Sequence, residues 1–281
     1  MAELISLIVA TYNRPDALAA VLRSLARQAD RNFEVVVADD GSGPQTRNVV
    51  KHWTTKVGVP LKHVWQDDRG FRLAEIRNRA IAASAGSYLI FLDGDCITRP
   101  GFVAAHRRLA EPGFFVGGNR VLLSQGLTER VLTRNLEPES WSLGAWLTRR
   151  VSGDVNRLLP LTSVPLGPLR KRLADEWEGV RGGNFAFVRA DIDRVDGFET
   201  SFVGWGLEDS DIVIRMIRSG VKRKDGRFAT GVLHLWHPEA DRSRLSEHRA
   251  KLDELLRSDR VRALRGLSAL AEDHGPVAVG Q

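Results

Sequence analysis

Residues 1–125 alternate between short apolar runs and segments whose apolar positions recur at the helical period. In the segment that begins at Pro15, for example, the apolar positions Leu18, Val21, Leu22 and Leu25 fall on one helical face. Strands that alternate with helices predict an α/β fold, in which right-handed crossovers join parallel strands. The predicted strands are Leu4–Val9, Phe33–Ala38, Leu61–Trp65 and Tyr88–Leu92, and a second helix is predicted from about Arg72 to Ser84.

The alternation stops over residues 126–181 and then returns. Residues 141–173 mix tryptophan and leucine with arginine and lysine, as an interfacial membrane segment does. An insertion packed on the domain and a lid over the site are the alternatives. Residues 182–240 then predict a strand, a helix and a second strand, at Asn184–Val188, about Ser210–Ser219 and Arg227–Leu235. The tail, residues 241–281, predicts charged helix that frays from about His274.

Composition narrows the class of protein. The chain of 281 residues is 43% hydrophobic and 27% charged, which is typical of a folded soluble domain. Its single cysteine, Cys96, excludes an intrachain disulfide and favours a reducing compartment. Met1–Leu4 lacks the basic region of a secretory signal, and no apolar run reaches the roughly 18 residues of a membrane span, so we expect a cytoplasmic protein.

The formal net charge of +6 favours anionic partners such as nucleotides and phospholipid headgroups. Nucleic acid is not an expected partner. The sequence has no zinc-finger spacing, no RNP-type aromatic motif and no run of arginines.

Polar clusters follow three of the predicted strands directly. They are Thr11-Tyr12-Asn13-Arg14, Asp39-Asp40 and Asp93-Gly94-Asp95. Ligands of open parallel sheets bind at the carboxyl ends of the strands, which is where these clusters lie. Carboxylates one residue apart can hold a hard divalent cation that bridges the two phosphates of a nucleotide diphosphate. A plain turn is the alternative for any one cluster, because aspartate and glycine are common after strands.

Four segments, in this order, resemble the start of the family 2 inverting glycosyltransferases of the GT-A fold. They are Ile5–Arg14, Val35–Ser42, Arg69–Ala74 followed by Arg77-Asn78, and Asp93-Gly94-Asp95, which takes the place of the family's DxD motif. Together they cover roughly the first 95 residues and are more specific than any one motif alone.

The resemblance implies roles for individual residues on the nucleotide side. Thr11, Tyr12 and Arg14 would line the base and ribose pocket. One of Asp39 and Asp40 would accept a hydrogen bond from the uracil imide, and Arg77 would contact the base. Asp93 would lie at the ribose side, and Asp95 would ligate the metal.

The stretch Trp205–Asp211 resembles the Trp-Gly-x-Glu-Asp motif of galactosyl- and N-acetylgalactosaminyltransferases. The resemblance implies that Asp209 is the general base and that Glu208 binds the acceptor sugar, with Trp205 and Gly206 beside it. Capping of a helix N-terminus by acidic residues is the alternative. Inverting transfer needs such a base, because a hydroxyl attacks the anomeric carbon from the face opposite the leaving diphosphate.

Two further segments supply candidates. In related transferases a histidine near His234-Leu235-Trp236-His237 completes the coordination of the cation, and His234 is the better match, with His237 as the alternative. Imidazole beside carboxylate suits Mn²⁺ at least as well as Mg²⁺. Gly183 and Asn184, which open a predicted strand, are weaker candidates for contact with the donor sugar, and a simple turn is the alternative.

The sequence therefore predicts an α/β protein of the GT-A type, with a Rossmann-like mixed sheet and helices on both faces. The predicted activity is inverting, metal-assisted transfer of a hexose or N-acetylhexosamine from a UDP-sugar to a saccharide or lipid-linked acceptor in polysaccharide or lipopolysaccharide synthesis. Membrane contact would place the protein at the inner face of the membrane. The alternatives are a nucleotidyltransferase and a non-catalytic sugar- or nucleotide-binding protein on the same fold.

Overall fold

The computed structural model describes residues 3–180, 182–273 and 279–280. Its first half alternates strands and helices. The predicted elements of this half are confirmed, and their ends agree with the structure to within two residues. The helix at Pro44–Thr54 was not predicted. The strands are β1 Ile5–Thr11, β2 Phe33–Asp39, β3 Leu61–Trp65 and β4 Tyr88–Asp93, and the helices are α1 Pro15–Ala26, α2 Pro44–Thr54 and α3 Leu73–Ala83.

Helices cover both faces of this sheet. Strand β1 pairs in parallel with both β2 and β4, so its side chains alternate between two buried cores. Leu7 and Val9 belong to the core beneath α1, whereas Ile8 belongs to the core that includes Ile76 of α3. Burial on both faces explains why β1 and β2 read as continuous apolar runs.

The second half reverses the strand direction. Strand β8 (Asn184–Val188) pairs antiparallel with β4, and Asn184 lies opposite Leu92. The complete sheet has the order β11-β3-β2-β1-β4-β8-β6-β9, in which β11 is a two-residue edge strand. A second sheet of three strands has the order β5-β10-β7. The remaining strands are β5 Cys96–Ile97, β6 Phe114–Gly117, β7 Arg120–Leu122, β9 Lys222–Asp225, β10 Val232–His234 and β11 Val279–Gly280.

The predicted strand Arg227–Leu235 is wrong over much of its length. Only Val232–His234 forms a strand, because a turn occupies the preceding residues. In that turn the backbone N–H and the hydroxyl of Thr230 both donate to the carbonyl of Gly226, at 3.0 and 3.1 Å.

Residues 126–180, which we call the insertion, pack on the rest of the chain through one face. Trp146 is only 4% exposed and packs with Trp141 in the core beneath α1. Helix α6 (Leu143–Val151) carries Trp146, and its solvent side is apolar and exposed at Leu143, Leu147 and Val151. The helices of this region are α5 Gln125–Thr133 and α6 Leu143–Val151, with short 3-10 helices at Pro138–Ser140, Leu159–Leu161 and Gly167–Lys171.

The other helices lie around the second half and the tail. The predicted helix near Ser210 begins two residues earlier, at Glu208. The fraying predicted from about His274 falls largely outside the described residues, although Val279–Gly280 pairs with β3. Among the described residues, no helix is both long and apolar enough to cross a membrane. These helices are α4 Phe102–Leu109, α7 Arg189–Val195, α8 Glu208–Arg218, α9 Leu245–Arg257 and α10 Leu267–Asp273.

Candidate active site

A cleft of about 430 Å³ opens where β1, β2 and β4 end and where β8 and α8 begin. Because β8 runs against β4, its first residues lie beside the last residues of β4. Most of the residues predicted for the site line this cleft. They are Thr11, Tyr12, Arg14, Asp40, Arg77, Asp93, Asp95, Gly183, Trp205, Gly206, Glu208, Asp209 and His237.

The cleft has two sides that differ in origin. We call the side built from strand ends the strand wall; it comprises Thr11, Tyr12, Arg14, Asp40, Asp93 and Asp95. We call the opposite side, built from loops and the start of α8, the helix wall; it comprises Gly182, Gly183 and Trp205–Ser210.

Three predicted residues do not line the cleft itself. Asp39 is fully buried and accepts hydrogen bonds from the Ser42 N–H at 2.8 Å and from His63 Nε2 at 2.9 Å. Asn184 is also buried, and its amide donates to the carbonyls of Asn119 and Thr230, so it fixes two loops. His234 lies just behind Asp95.

The strand wall offers hydrogen-bonding groups to a ligand. Thr11 lines the cleft, and its buried hydroxyl has no hydrogen-bond partner among the described residues. Tyr12 is 45% exposed, and its hydroxyl donates to Asp68 Oδ2 at 3.0 Å. Arg14 pairs with Asp16 at 3.0 Å on the surface.

Asp40 is the carboxylate of the Asp39-Asp40 pair that lies in the cleft. It accepts hydrogen bonds from Gln66 Nε2 at 2.6 Å and from the Arg72 N–H at 2.7 Å. Burial nevertheless raises the pKa of Asp40 to about 6, because desolvation disfavours its charged form more than these donors favour it.

A carboxylate and two imidazoles meet at the end of β4. His234 Nε2 lies 3.6 Å from Asp95 Oδ1, and His237 Nε2 lies 3.4 Å from Asp95 Oδ2. The backbone makes this meeting possible, because β10 pairs with β5 and the Leu235 N–H donates to the Asp95 carbonyl at 2.9 Å.

These three side chains fit a divalent cation. Their ligand atoms all lie within 4.8 Å of one another. His237 Nδ1 lies 2.7 Å from the Pro238 carbonyl, which can only accept, so Nδ1 carries the hydrogen and Nε2 presents its lone pair. Burial lowers the pKa of His234, which keeps its imidazole in the neutral form that binds metal.

Arg77 joins the two walls beneath the cleft. Its guanidinium lies 3.3 Å from both Glu208 Oε1 and Asp93 Oδ1, and it donates to the Gly182 carbonyl at 3.1 Å. The side chain is 1% exposed. Gly183 has to be small here, because a Cβ atom would lie 2.3 Å from Asp93 Oδ2. The predicted contact of Arg77 with the base remains a prediction, since its hydrogen bonds go to protein atoms.

Aromatic rings complete the surroundings of Arg77. The guanidinium carbon lies 5.7 Å from the ring centre of Phe185 and 5.3 Å from that of Phe198. Cation–π attraction and the two carboxylates together compensate a cation that has lost its water.

The adjacent acids Glu208 and Asp209 have different environments. Asp209 is partly exposed and accepts hydrogen bonds from the Gly182 N–H at 2.9 Å and the Ser210 N–H at 2.7 Å, which fix its orientation. Glu208 is buried, and its Oε2 has no hydrogen-bond partner among the described residues. Burial, reinforced by the charge of Asp209 and opposed by Arg77, raises the pKa of Glu208 to about 7.

The loop that precedes these acids is held in an unusual backbone conformation. Leu207 has a φ of +73°, which is rare for a branched side chain and marks local strain. His248 of α9 is fully buried behind the loop, and its ring nitrogens lie 2.8 Å from the Gly206 carbonyl and 3.1 Å from the Val203 carbonyl. His248 thereby anchors the segment that carries Trp205.

Sequence reasoning missed two contributors to the site. Arg120 lines the cleft from β7, in a stretch without a recognisable motif. His248 acts from behind the loop and lies roughly 40 residues further along the chain. No sequence signal identifies either residue, because both depend on how distant segments pack. Phe71, inside the segment Arg69–Ala74, and Gly182, next to Gly183, were not predicted as site residues, and they also line the cleft.

Comparison with known families gives two matches. Residues 6–195 match glycosyl transferase family 2, which covers more than half of the chain. Residues 170–238 match the N-terminal domain of galactosyltransferase, and this range contains the whole helix wall.

Curated relatives include transferases of several kinds. Validoxylamine A glucosyltransferase of Streptomyces hygroscopicus subsp. limoneus is 34% identical over 82% of this chain and 51% of the relative. Chondroitin synthase of Escherichia coli is 25% identical over 77% of this chain and 32% of the relative. The chain thus spans about half or less of the length of these relatives.

Solved structures with a similar fold include two sugar-nucleotide complexes. The chain matches S. aureus TarS residues 1–349 in complex with UDP-GlcNAc with a TM-score of 0.60 and 17% identity, over 91% of this chain and 67% of that one. It matches the mannosyltransferase PcManGT of Pyrobaculum calidifontis in complex with GDP-Man and Mn²⁺ with a TM-score of 0.57 and 19% identity, over 99% of this chain and 66% of that one. At these identities the likeness concerns the fold.

Proposed function

This chain belongs to glycosyl transferase family 2 and is a glycosyltransferase, and from that premise we propose that it transfers a hexose or N-acetylhexosamine from a UDP-sugar to a saccharide acceptor with inversion. One observation carries the proposal. A single cleft contains both the cluster of Asp95 and His237 and the oriented carboxylate of Asp209. The cluster that would stabilise the leaving diphosphate and the carboxylate that would act as the base therefore lie in the same cleft.

The strand wall supplies the groups that would bind uridine. Of the two predicted carboxylates, Asp40 would accept from the uracil imide, because Asp39 is buried away from the cleft and is already hydrogen-bonded. The unpartnered hydroxyl of Thr11 would bond the nucleotide, with the exposed ring of Tyr12 beside it.

Asp95, His234 and His237 would hold Mn²⁺ or Mg²⁺, the mixed donor set favouring Mn²⁺. A bound cation offsets the negative charge that grows on the departing diphosphate. Asp93, held by Arg77, would lie at the ribose side of the donor.

The helix wall supplies the base. Asp209 would take the proton from the acceptor hydroxyl as its oxygen forms a bond to the anomeric carbon. The bond from that carbon to the diphosphate oxygen breaks, and its electron pair leaves with UDP. The hydrogen bonds from Gly182 and Ser210 orient Asp209 for this role. Glu208 would bind the acceptor sugar, with Trp205 and Gly206 beside it.

Two substitutions test the two walls separately. Asp209→Asn should lower sugar transfer from UDP-sugars by about 10²–10⁴-fold and leave UDP affinity unchanged. Asp95→Ala should weaken Mn²⁺-dependent UDP binding as well as transfer. Asp253→Asn, an exposed carboxylate on α9, is the matched control and should leave both unchanged. Full transfer by Asp209→Asn would refute its role as base.

We also infer that the acceptor is lipid-linked and reaches the enzyme at a membrane surface. The support is the exposed apolar stripe of α6, in which Leu143, Leu147 and Val151 lie on successive turns with Arg150 beside them. Replacing Leu147 and Val151 by serine should reduce sedimentation with anionic vesicles. Leu264→Ser, equally exposed but distant in sequence, is the control. Equal sedimentation of all three proteins would contradict membrane contact through α6.

A further inference from the structure

A second cavity, of about 520 Å³, lies between α4 and the insertion and shares no lining residue with the active-site cleft. It is lined by three arginines: Arg99, which follows β5; Arg108, on α4; and Arg170, in the last 3-10 helix of the insertion. Among the described residues, no aspartate or glutamate lines it.

None of the three arginines forms a direct ion pair in the part of the chain that the structure describes, although the carboxylate of Asp225 attracts Arg170 electrostatically. Arg170 is only 7% exposed, yet its guanidinium donates to the carbonyls of Asp225, Arg227 and Val164, all of which are neutral groups. Arg99 likewise donates to the Leu161 carbonyl. Arg108 is exposed at the rim and forms no ion pair within the described residues.

Burying a cation that has no direct ion pair is costly, because the attraction of a more distant carboxylate replaces only part of the lost hydration. Desolvation accordingly lowers the pKa of Arg170. An anion bound in the cavity would offset this cost. Guanidinium groups pair with phosphate through parallel hydrogen bonds, and a phosphate charge of about −2 suits three arginines better than a single carboxylate does.

The position of the cavity separates it from the donor site. Gly231, at its wall, precedes β10, whereas His234 ends that strand at the metal cluster. Three residues of strand span roughly 10 Å, so the two sites lie at opposite ends of the small sheet. The cavity is therefore not the place where the diphosphate of the donor binds.

We propose that this arginine-lined cavity binds a phosphate group. The phosphate can belong to a lipid headgroup or to a soluble ligand. Val164 at the rim is 43% exposed and apolar, which suits a phosphate that carries a lipid chain. This site is independent of the transfer reaction.

Titration calorimetry with inorganic phosphate at constant ionic strength tests the site. Wild-type protein should bind phosphate, and Arg108→Gln should weaken binding by about tenfold, since it removes a charge-assisted hydrogen bond. Arg47→Gln, an exposed arginine of α2 that makes no ion pair in the described chain, is the matched control and should bind like wild type. Equal urea midpoints for the three proteins would show that all are folded.

Vesicles distinguish the two sources. If the phosphate is lipid-borne, wild type and Arg47→Gln should sediment with phosphatidic acid vesicles, whose phosphate is a monoester, more than with phosphatidylglycerol vesicles, whose phosphate is a singly charged diester, and Arg108→Gln should lose this difference. Phosphate binding without any such loss would support the site and assign it to a soluble ligand. Absence of phosphate binding to wild type at about 10 mM, or equal binding by Arg108→Gln, would overturn the proposal.

Discussion

The two walls of the cleft are built in different ways. On the strand wall, Thr11, Asp40 and Asp93 stand at the ends of paired strands, so the hydrogen-bond ladder of the sheet fixes their positions. The helix wall has no ladder. Its acids are held by individual bonds from Arg77 and from the Gly182 N–H, and its loop is anchored by His248.

The difference teaches where the site is fragile. A strand end stays in place when one side chain changes, because many backbone hydrogen bonds to neighbouring strands hold its position. The helix wall depends on a few side chains that never need to touch a ligand. We therefore expect single substitutions behind the helix wall to disturb the site more than substitutions at the surface of the strand wall.

The largest effect should follow from Arg77→Met. The variant leaves Glu208 and Asp93 without their shared cation, and breaking a buried ion pair from one side costs about 3–5 kcal/mol. Urea unfolding followed by circular dichroism should show this loss in the free energy of unfolding. Arg14→Met breaks an exposed pair on the strand wall and should cost only about 0–1 kcal/mol.

A double variant keeps the prediction testable if Arg77→Met does not fold. In Arg77→Met combined with Glu208→Gln, one of the two uncompensated carboxylates is neutral, so the double variant should regain part of the lost stability. If Arg77→Met and Arg14→Met lowered the free energy of unfolding equally, the expected difference in fragility between the two walls would be wrong.

A smaller effect is expected for His248→Phe. Phenylalanine keeps the aromatic contact with Phe202, whose ring centre lies 5.2 Å away, but loses the bonds to the Gly206 and Val203 carbonyls. The two lost contacts together cost about 1–2 kcal/mol, so sugar transfer should fall by about 5–30-fold as the loop loosens. UDP affinity should not change, because the strand wall is untouched. A loss of UDP affinity equal to the loss of transfer would mean that the walls are not separable.

The smallest expected effect is the pH dependence of uridine binding to the strand wall. Uridine carries no phosphate, so its binding isolates Asp40 from the metal cluster. As pH falls below about 6, Asp40 becomes protonated and no longer accepts from the uracil imide as a carboxylate, so uridine affinity should fall by up to about tenfold per pH unit. Between about pH 7 and pH 8 the affinity should be constant, because Asp40 is then ionised.

Ligand-observed NMR can measure the affinity for uridine at each pH. Two controls accompany this titration. N3-methyluridine lacks the imide hydrogen and should bind weakly at every pH, and Asp40→Asn should remove the pH dependence. A pH dependence that survives in Asp40→Asn would assign it to another group.

Much of the strand wall could be predicted from the sequence. In contrast, few of the contacts that hold the helix wall in place could be predicted. Strands β1 to β4 were predicted because buried strands leave continuous apolar runs, and the polar residues that end them follow directly in the chain. The family resemblance read from those strand ends is confirmed by the match over residues 6–195. The Trp205–Asp209 motif was recognised as well, but its anchor His248 was not.

Other features could not be predicted fully, for physical reasons. The sequence favours His234 as the metal ligand and leaves His237 as the alternative, because both reach Asp95 through the pairing of β10 with β5, two segments far apart in the chain. Arg227–Leu235 has the composition of a strand, but a turn closed by Thr230 on Gly226 takes up its first part. Membrane contact by the insertion stays a prediction.

The reversal of strand direction at β8 has a consequence for how the chain is made. Strand β4 is one edge of the growing sheet until β8 pairs with it, and roughly 90 residues separate Asp93 from Asn184. At a synthesis rate of roughly 5–20 residues per second, that edge stays open for about 5–20 s after β4 leaves the ribosome. Its apolar residues Leu89–Leu92 form the kind of bare strand edge that recruits other chains. The nascent protein should therefore be most prone to aggregation while the insertion is being translated, before the residues of the helix wall have been made.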